Sequence, residues 1–253
     1  MELWTKAHAQ TILPALAVMV LLAILLRRWL GGKSLSVRLL PIRIIACLLV
    51  VLEIGKQGLS LYRGYDLYCL PFHFCSLFIF ALPVMAFYTG KHRQSVYGVV
   101  SALCGAMTLL FLIYPNLIYS AGNVENYFRD YMSFHTVTFH NLVMLAFLLI
   151  LALQIQSSPV KGEVGKLMLV IVVFCVVSAA MAHLLKTNYA NYYSCNIPVL
   201  EAVRLDLQST LGYVLTQILY VSIVSALNLV FVWGSYWAYR GLRRLTQHRV
   251  RVS

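Results

Sequence analysis

Long runs of apolar residues, separated by short polar breaks, recur along the whole 253-residue chain. Each run is near the roughly 20 residues that a helix needs to cross a bilayer. The breaks hold glycine, proline, serine and charged residues, which end helices. The pattern therefore predicts an all-α, polytopic membrane protein with a bundle of about seven transmembrane helices. Their approximate bounds are Thr11–Leu30, Val37–Leu59, Leu70–Tyr88, Ser95–Ile118, Tyr131–Leu153, Val164–Leu185 and Thr210–Tyr239.

Composition agrees with this interpretation. Hydrophobic residues make up 61% of the chain and charged residues 11%, whereas a soluble domain carries about 25% charged residues. The runs leave no room for a separate soluble domain, so residues 1–253 are expected to form a single transmembrane domain. Arg27, Arg28 and Lys33 follow the first run, and no small-residue cleavage site does. We therefore interpret that run as a retained helix rather than a signal peptide.

The basic residues concentrate in alternate breaks. If the N-terminus is outside, the cytoplasmic segments are 27–43, 90–93, 159–166 and 240–253, which hold 14 of the 20 Lys and Arg residues. Because cytoplasmic loops carry an excess of Lys and Arg, we predict an N-out, C-in topology in the cell membrane. The net charge of +12 then contacts anionic lipid head groups. It is spread over four segments rather than one face, so no nucleic-acid partner is expected.

Ionisable side chains inside the apolar runs form a second pattern. They are costly to place in lipid and therefore mark candidate functional sites. The motif Leu-Pro-Phe-His-Phe-Cys, at positions 70–75, puts an imidazole and a thiol two residues apart. With the predicted topology, four helices bring polar groups to the outer half of the membrane, where we predict a pocket. These groups are Glu53, His73, Cys75, His135, His140, His183, Asn188 and Tyr189.

Helical spacing restricts which of these groups can meet. Residues two apart point about 200° apart on an α-helix, so His73 and Cys75 are expected to face apart if that turn is regular. Pro71 suits a helix start, which would place Cys75 near the N-terminal dipole. His135 and His140 are about 140° apart by the same geometry, so we expect only one of them to face Cys75. The prediction rests on a contact between the third and fifth helices.

Cysteine spacing gives little support for a cross-link or a metal. A disulfide between Cys69 and Cys195 is possible on an oxidising face, but sequence alone does not establish connectivity. No Cys/His set has zinc-ligand spacing, so we expect no metal and no cofactor. A zinc hydrolase that uses His73, His135 and His140 is retained as an alternative.

Several of these features together resemble the YwaF-type integral membrane proteins, whose animal relatives include transmembrane protein 164. The resemblance spans residues 53–220, and its most specific parts are the Leu-Pro-x-His-x-Cys and Thr-Asn-Tyr pieces. It implies a phospholipid acyltransferase that moves a fatty acyl chain through a cysteine thioester, with membrane lipids as acyl donor and lysolipid acceptor. The matching residues are Glu53, the 70–75 motif, Tyr114-Pro115, His135, Thr187-Asn188-Tyr189 and Pro198.

The chemistry of the residues is compatible with that implied activity. A thiolate is a good acyl nucleophile, and a neighbouring imidazole can carry its proton. Cys75 is therefore the expected nucleophile, His135 the leading base, and His73 the alternative base or a supporting donor. A carboxylate can orient the imidazole, and an amide or backbone N–H can stabilise the oxyanion. The expected supporting residues are Glu53, His140, Asn188 and Tyr189.

A transporter or lipid-binding membrane protein without catalysis is the main alternative, because intramembrane His and Glu also suit a proton-coupled site. The absence of an inverted repeat and of paired broken helices in the sequence argues against transport. A lipid hydrolase would use the same residues, since it differs only in whether water or a lysolipid reaches the thioester. No motif indicates which lipids are used or what oligomer forms.

Overall fold

The computed structural model describes residues 3–251, with side chains up to Leu245, as a bundle of α-helices that contains no strand in this range. Side chains of the basic tail beyond Leu245 lie outside the described residues. Three 3-10 turns lie in the connections, at Leu67–Cys69, Phe74–Ser76 and Tyr189–Asn191. The helices are α1 (Lys6–Leu30), α2 (Leu35–Arg38), α3 (Leu40–Tyr62), α4 (Leu77–Phe87), α5 (Arg93–Ile113), α6 (Pro115–Ile118), α7 (Ala121–Glu125), α8 (Tyr131–Ala152), α9 (Glu163–Leu184), α10 (Pro198–Leu211) and α11 (Tyr213–Arg251).

Six helical segments in the described chain are long and apolar enough to cross a membrane: α1, α2 with α3, α5, α8, α9 and α11. The protein is therefore a polytopic helical membrane protein, as predicted. The third predicted span differs, because only the 11 residues of α4 are α-helical there. A helix of that length is about 16 Å long, roughly half the thickness of the hydrocarbon core. The preceding residues 63–76 are mostly irregular.

Contacts between helix ends show that α1 runs antiparallel to α5, and α3 antiparallel to α4. Trp4, just before α1, donates from Nε1 to the carbonyl of Leu112 at the end of α5 (3.1 Å). Arg43, near the start of α3, donates from Nε to the carbonyl of Ala86 at the end of α4 (3.1 Å). We call the end at which α1, α4 and α8 begin the amino-terminal end of the bundle. The short helix α4 thus completes the alternation that a full span would give.

Helix α5 is the central helix, and its sequence explains why. Of the 18-residue apolar segment that would cross the membrane, 67% is buried inside the protein in α5, compared with 11% in α11. Small residues at membrane-helix interfaces let neighbouring backbones approach closely. An added Cβ at Gly105 would lie 3.0 Å from the ring of Phe147 on α8, which shows how close the two helices are. The small buried residues of α5 are Gly98, Ser101, Ala102, Gly105 and Ala106.

A buried network, which we call the polar lock, closes the opposite end of the bundle. Gln156 donates from Nε2 to Glu163 Oε1 (2.9 Å) and accepts from the Tyr239 hydroxyl (2.8 Å). Glu163 also accepts the backbone N–H of Val160 (3.1 Å). A Cβ at Gly98 of α5 would come 1.2 Å from Oε1 of Glu163. The lock therefore joins the connection after α8, the start of α9 and Tyr239 of α11, and a side chain at position 98 would displace the Glu163 carboxylate.

The amphipathic helix α10 was not among the predicted elements. It lies between α9 and α11 and is too polar and too short, at 14 residues, to be a span. Its apolar residues recur at spacings of three and four, which is the pattern of an amphipathic helix. The segment was missed because the search for spans depends on continuous hydropathy.

Candidate functional site

A cavity of about 600 Å³ lies towards the amino-terminal end of the bundle. Side chains such as Met107, Phe139, Phe174 and Phe231 give it a largely apolar wall. Six of the seven site residues predicted from the sequence line it, and Tyr189 is the exception. The ionisable side chains that line it are Glu53, Lys56, Tyr68, His73, Cys75, His135 and His140.

Glu53 on α3 is buried, with 8% of the residue exposed, and it organises one side of this cavity. Lys56 Nζ lies 2.8 Å from its Oε1, and Gln57 donates from Nε2 to the same oxygen at 2.7 Å. His135 Nε2 lies 3.4 Å from Oε2, which is longer than an ordinary hydrogen bond. A buried carboxylate needs such partners. Glu53 therefore lies within ion-pair distance of His135, while Lys56 balances its charge.

His73 has both ring nitrogens engaged by the backbone. Its Nε2 lies 3.3 Å from the Tyr68 carbonyl, and its Nδ1 accepts the backbone N–H of Ala190 at 3.5 Å. The ring also packs against the rings of Tyr68 and Tyr189, at centroid distances of 4.4 and 5.4 Å. A base needs an available lone pair on nitrogen. This geometry therefore favours the supporting role predicted for His73 over the role of base.

The other two imidazoles each leave one nitrogen unoccupied. His140 Nδ1 lies 2.6 Å from the carbonyl of Thr136, so Nδ1 carries the proton and Nε2 keeps the lone pair. His135 presents Nε2 to Glu53, and no hydrogen bond within the described residues occupies its Nδ1. Both residues line the cavity. Two imidazole rings are therefore available to a group bound there.

The backbone around Cys75 differs from the regular helix assumed from the sequence. His73 is extended (φ −84°, ψ 155°), Phe74–Ser76 form one 3-10 turn, and α4 begins only at Leu77. The prediction that His73 and Cys75 face apart is therefore wrong, since both line the cavity. Pro71 is not the start of the helix, but the apolar helical segment Phe74–Phe87 begins one residue before Cys75, so Cys75 still lies at a helix N-terminus.

The predicted contact between Cys75 and His135 takes a different form. No hydrogen bond joins them within the described residues, and the charged partner of His135 is Glu53. His135 and His140 both face the cavity that contains Cys75, although they are five residues apart on α8. Because the cavity extends along α8, it reaches both ring positions. The thiol and the imidazoles thus meet across a cavity rather than in a direct contact.

Side chains from three other elements satisfy the carbonyls of the irregular segment before Cys75. A backbone carbonyl left unpaired in the bilayer costs several kcal/mol, and these bonds allow a non-helical chain at this depth. Gln57 donates from Nε2 to the Cys69 carbonyl at 2.7 Å, and Ser178 donates its hydroxyl to the Phe72 carbonyl at 2.8 Å. Tyr189 thereby supports the segment from behind the cavity wall. The three bonds run from Tyr189 to the Leu67 carbonyl, from Gln57 to the Cys69 carbonyl and from Ser178 to the Phe72 carbonyl.

Asn188 lines the cavity, but the loop after α9 uses its amide. Its Nδ2 donates to Asn196 Oδ1 (3.0 Å), and its Oδ1 accepts the backbone N–H groups of Tyr193 (3.2 Å) and Ser194 (3.1 Å). An amide held in this way shapes the loop that forms one wall of the cavity. The bond to Asn196 uses one of the two Nδ2 hydrogens, so the predicted oxyanion role for Asn188 would depend on the second hydrogen.

Sequence reasoning missed several polar residues of the cavity, of which Lys56 and Asn228 lie in membrane-spanning helices. Lys56, one turn after Glu53 on α3, lines the cavity and was not among the predicted site residues. Asn228 on α11 was not considered, and it lines the opposite wall while its Nδ2 lies 3.3 Å from the Tyr192 hydroxyl. A lone amide in a long apolar run is a signal that could have identified it.

Within the part of the chain that the structure describes, the cysteines and acidic residues offer no cross-link and no metal site. All six cysteines are free thiols, so the disulfide considered for Cys69 and Cys195 is not formed. The two belong to separate turns, where the Cys69 carbonyl accepts from Gln57 and the Cys195 N–H donates to Glu201. Within the described residues, no group of three or more His, Cys, Asp and Glu side chains could hold a metal ion.

A comparison with known protein families identifies the family of this chain. The model of the TMEM164 family matches residues 3–237. The chain belongs to the TMEM164 family. The resemblance identified in the sequence is thereby confirmed, and the match includes every residue that lines the cavity. No curated protein and no solved structure matches the chain.

Proposed function

We propose that this TMEM164-family protein transfers a fatty acyl chain between membrane lipids through a thioester at Cys75. The observation that carries the proposal is one cavity that combines a thiol, two imidazoles with an unoccupied nitrogen and a buried carboxylate. Its mainly apolar wall suits an acyl chain. Membership of a membrane family supports donor and acceptor lipids drawn from the bilayer.

The proposed reaction has two half-reactions. In the first, His135 accepts the thiol proton and the sulfur of Cys75 attacks the ester carbonyl of the donor lipid. The C–S bond forms, the ester C–O bond breaks, and the proton passes to the oxygen of the departing lysolipid. In the second, the hydroxyl of an acceptor lysolipid attacks the thioester while His135 takes its proton. The C–S bond then breaks, and the thiolate regains that proton.

The remaining residues have supporting roles in this proposal. Glu53 orients His135 and stabilises its protonated form, as the acidic member of a catalytic triad does. His140, with Nε2 unprotonated, is the second candidate base. His73 and Tyr189 hold the Cys75 segment, and Asn188 shapes the loop wall. The reaction needs no cofactor.

We also propose that the N-terminus is outside the cell membrane and that the cavity lies in its outer half. The basic residues that flank the opposite end of the bundle support this orientation. Epitope tags at each terminus, probed with protease on intact cells, test it. Only the N-terminal tag should be cleaved before the membrane is permeabilised, and cleavage of only the C-terminal tag would reverse the orientation.

The central experiment traps the thioester. Protein in nanodiscs is incubated with phospholipid that carries a radiolabelled acyl chain, and hydroxylamine-sensitive label on the protein is measured. The wild type and Cys104→Ser, which alters a buried thiol on α5, should both become labelled. Cys75→Ser should not. Adding lysolipid should move the label into a new phospholipid, whereas release of free fatty acid alone would indicate a hydrolase.

Two outcomes would contradict the proposal in different ways. If Cys75→Ser exchanges acyl chains at the wild-type rate, Cys75 is not the nucleophile. If no variant is labelled or exchanges acyl chains while phospholipid co-purifies stoichiometrically, the protein binds or moves lipids without catalysis.

A further inference from the structure

Helix α10 has its polar and apolar faces in an unusual arrangement. Its charged stripe faces the protein, where Arg204 is only 8% exposed. Its apolar stripe faces outward, and Val203, one residue earlier, is 54% exposed. At 100° per residue four of the apolar positions share a sector of about 80° along the helix, while Leu205, which is also exposed, lies outside it. The outward stripe consists of Leu200, Val203, Leu207 and Leu211, each at least 40% exposed.

Contacts of the charged stripe explain why the apolar face is turned outward. Arg204 donates from Nε to Glu201 (2.8 Å) and from Nη1 to Gln208 (3.2 Å), and its guanidinium lies 5.8 Å from the ring centre of Tyr220 on α11. A buried Arg must be paired in this way. Glu201 and Gln208 lie on α10 itself, so the rotation of the helix is set by the contact of Arg204 with Tyr220 and by the bond from the Cys195 N–H to Glu201. Both contacts turn this side of α10 inward and leave the apolar stripe outside.

The apolar stripe continues directly into the outer surface of a membrane span. Gly212, at φ +78°, makes the corner between α10 and α11, and the spanning segment begins at Tyr213. The first turns of α11 carry exposed apolar residues, with Val214 at 70% and Ile218 at 59%. Because no linker separates the helices, the C-terminal end of α10 lies where the chain enters the membrane.

We propose that α10 is an interfacial helix that inserts its apolar stripe among the acyl chains below the lipid head groups. Its composition fits this role, because interfacial helices combine one apolar face with low overall hydropathy. A helix of 14 residues is about 21 Å long, which is too short to span the bilayer. The occupant of the apolar face is therefore the lipid layer, and this holds whether or not the protein is an enzyme.

The same helix connects the membrane surface to one wall of the cavity. Glu201 accepts the backbone N–H of Cys195 (2.7 Å), which follows directly on the tyrosine–serine pair bound by Asn188. Tyr220 donates its hydroxyl to the Asn191 carbonyl (2.6 Å), and Asn191 lines the cavity. Seating α10 in the lipid thus fixes the loop wall at the level of the head groups.

Photo-crosslinking in the native membrane tests the proposal. A benzophenone amino acid is placed at Val203, at Ser209 on the polar flank of α10, or at Ile218 on α11 as the lipid-facing control. After illumination, adducts are identified by mass spectrometry. We expect Val203 and Ile218 to give phospholipid adducts, with about tenfold less at Ser209. Protein adducts at Val203, to a second copy or to another chain, would overturn the proposal, and so would an absence of lipid adducts there.

Hydrogen exchange of the full-length protein in nanodiscs provides a second measurement. Val203→Asp with Leu207→Asp should raise the exchange rate of residues 190–196 at least tenfold, because α10 leaves the lipid and releases the loop. Ser209→Asp should leave it unchanged. Unchanged exchange in both variants, with α5 and α8 equally protected, would show that the loop does not depend on the seating of α10.

Discussion

The protein contains two buried glutamates at opposite ends of the same bundle, and they differ in their surroundings. Glu163 is 1% exposed and accepts from a glutamine amide and a backbone N–H, with Gly98 packed against it. Glu53 is 8% exposed, contacts a lysine and a histidine, and borders a cavity. The first carboxylate is enclosed by neutral partners, whereas the second faces groups that exchange protons. Burial alone therefore does not separate a structural carboxylate from one suited to chemistry.

Exchanging each carboxylate for an amide should give the largest contrast. Glu53→Gln is expected to lower the acyl-transfer rate about 100-fold, because the His135 ring loses the charge that orients it. Glu163→Gln should leave the rate per folded molecule within about twofold while lowering stability. Initial rates in nanodiscs, normalised to folded protein, give the comparison. Equal losses of rate in the two variants would contradict the different roles that we assign to Glu53 and Glu163.

Filling the space beside the polar lock should affect folding rather than chemistry. Gly98→Ala places a methyl group on the Glu163 carboxylate and is expected to cost about 2–3 kcal/mol of unfolding free energy. Gly165→Ala on α9, where an added Cβ meets nothing within 4 Å, is the matched control and should be neutral or slightly stabilising. Thermal unfolding in detergent measures both. Similar stability for the two variants would show that the lock does not depend on glycine at position 98.

Removing the Tyr189 hydroxyl behind the cavity wall should have an intermediate effect on both stability and the acyl-transfer rate. Tyr189→Phe removes one hydroxyl from the carbonyl of Leu67 and is expected to cost about 1 kcal/mol. The acyl-transfer rate should fall a few-fold, since the Cys75 segment loses one of its attachments. Tyr62→Phe, at a position that is 88% exposed, should change neither. A Tyr189→Phe protein as stable and as active as the wild type would contradict the support role.

The smallest effect concerns a third glutamate, which lies on α10 outside the spans. The guanidinium of Arg204 lowers the pKa of Glu201 below its ordinary value. The pair therefore stabilises α10 above the pKa of the unfolded chain, and this contribution is lost as the pH falls through the lowered pKa of the folded state. The stability difference between the wild type and Glu201→Gln should shrink on acidification from pH 6 to pH 3. A difference that stays constant over this range would exclude the ion pair as its source.

The spans were predictable because a bilayer restricts their length and composition. The fifth run was expected at Tyr131–Leu153 and is the helix Tyr131–Ala152. The composition of the run Leu70–Tyr88 does not indicate that its first part is not a regular α-helix. Its backbone is decided by hydrogen bonds from Gln57, Ser178 and Tyr189, which are distant in sequence and leave no periodic pattern.

The candidate site was predictable in its membership more than in its geometry. Counting helix directions brought Glu53, Cys75 and His135 to one level of the membrane, because that count needs only the order and length of the runs. Which nitrogen of each imidazole is occupied depends on single contacts, such as His140 with the Thr136 carbonyl. Helical wheels do not contain that information, and for the irregular turn at His73 they give the wrong answer.

The irregular segment before Cys75 also constrains how the protein is made. Its carbonyls are bound by side chains from α3, α9 and the loop after α9. Two of these donors, Ser178 and Tyr189, lie 106 and 122 residues after the carbonyls that they bind and are therefore synthesised much later. During translation the segment has only Gln57 available and must take another conformation, for which a continuous helix leaves the fewest unpaired groups. We therefore expect the cavity to be completed late in biogenesis, after α9 and α11, which both line it, have been inserted.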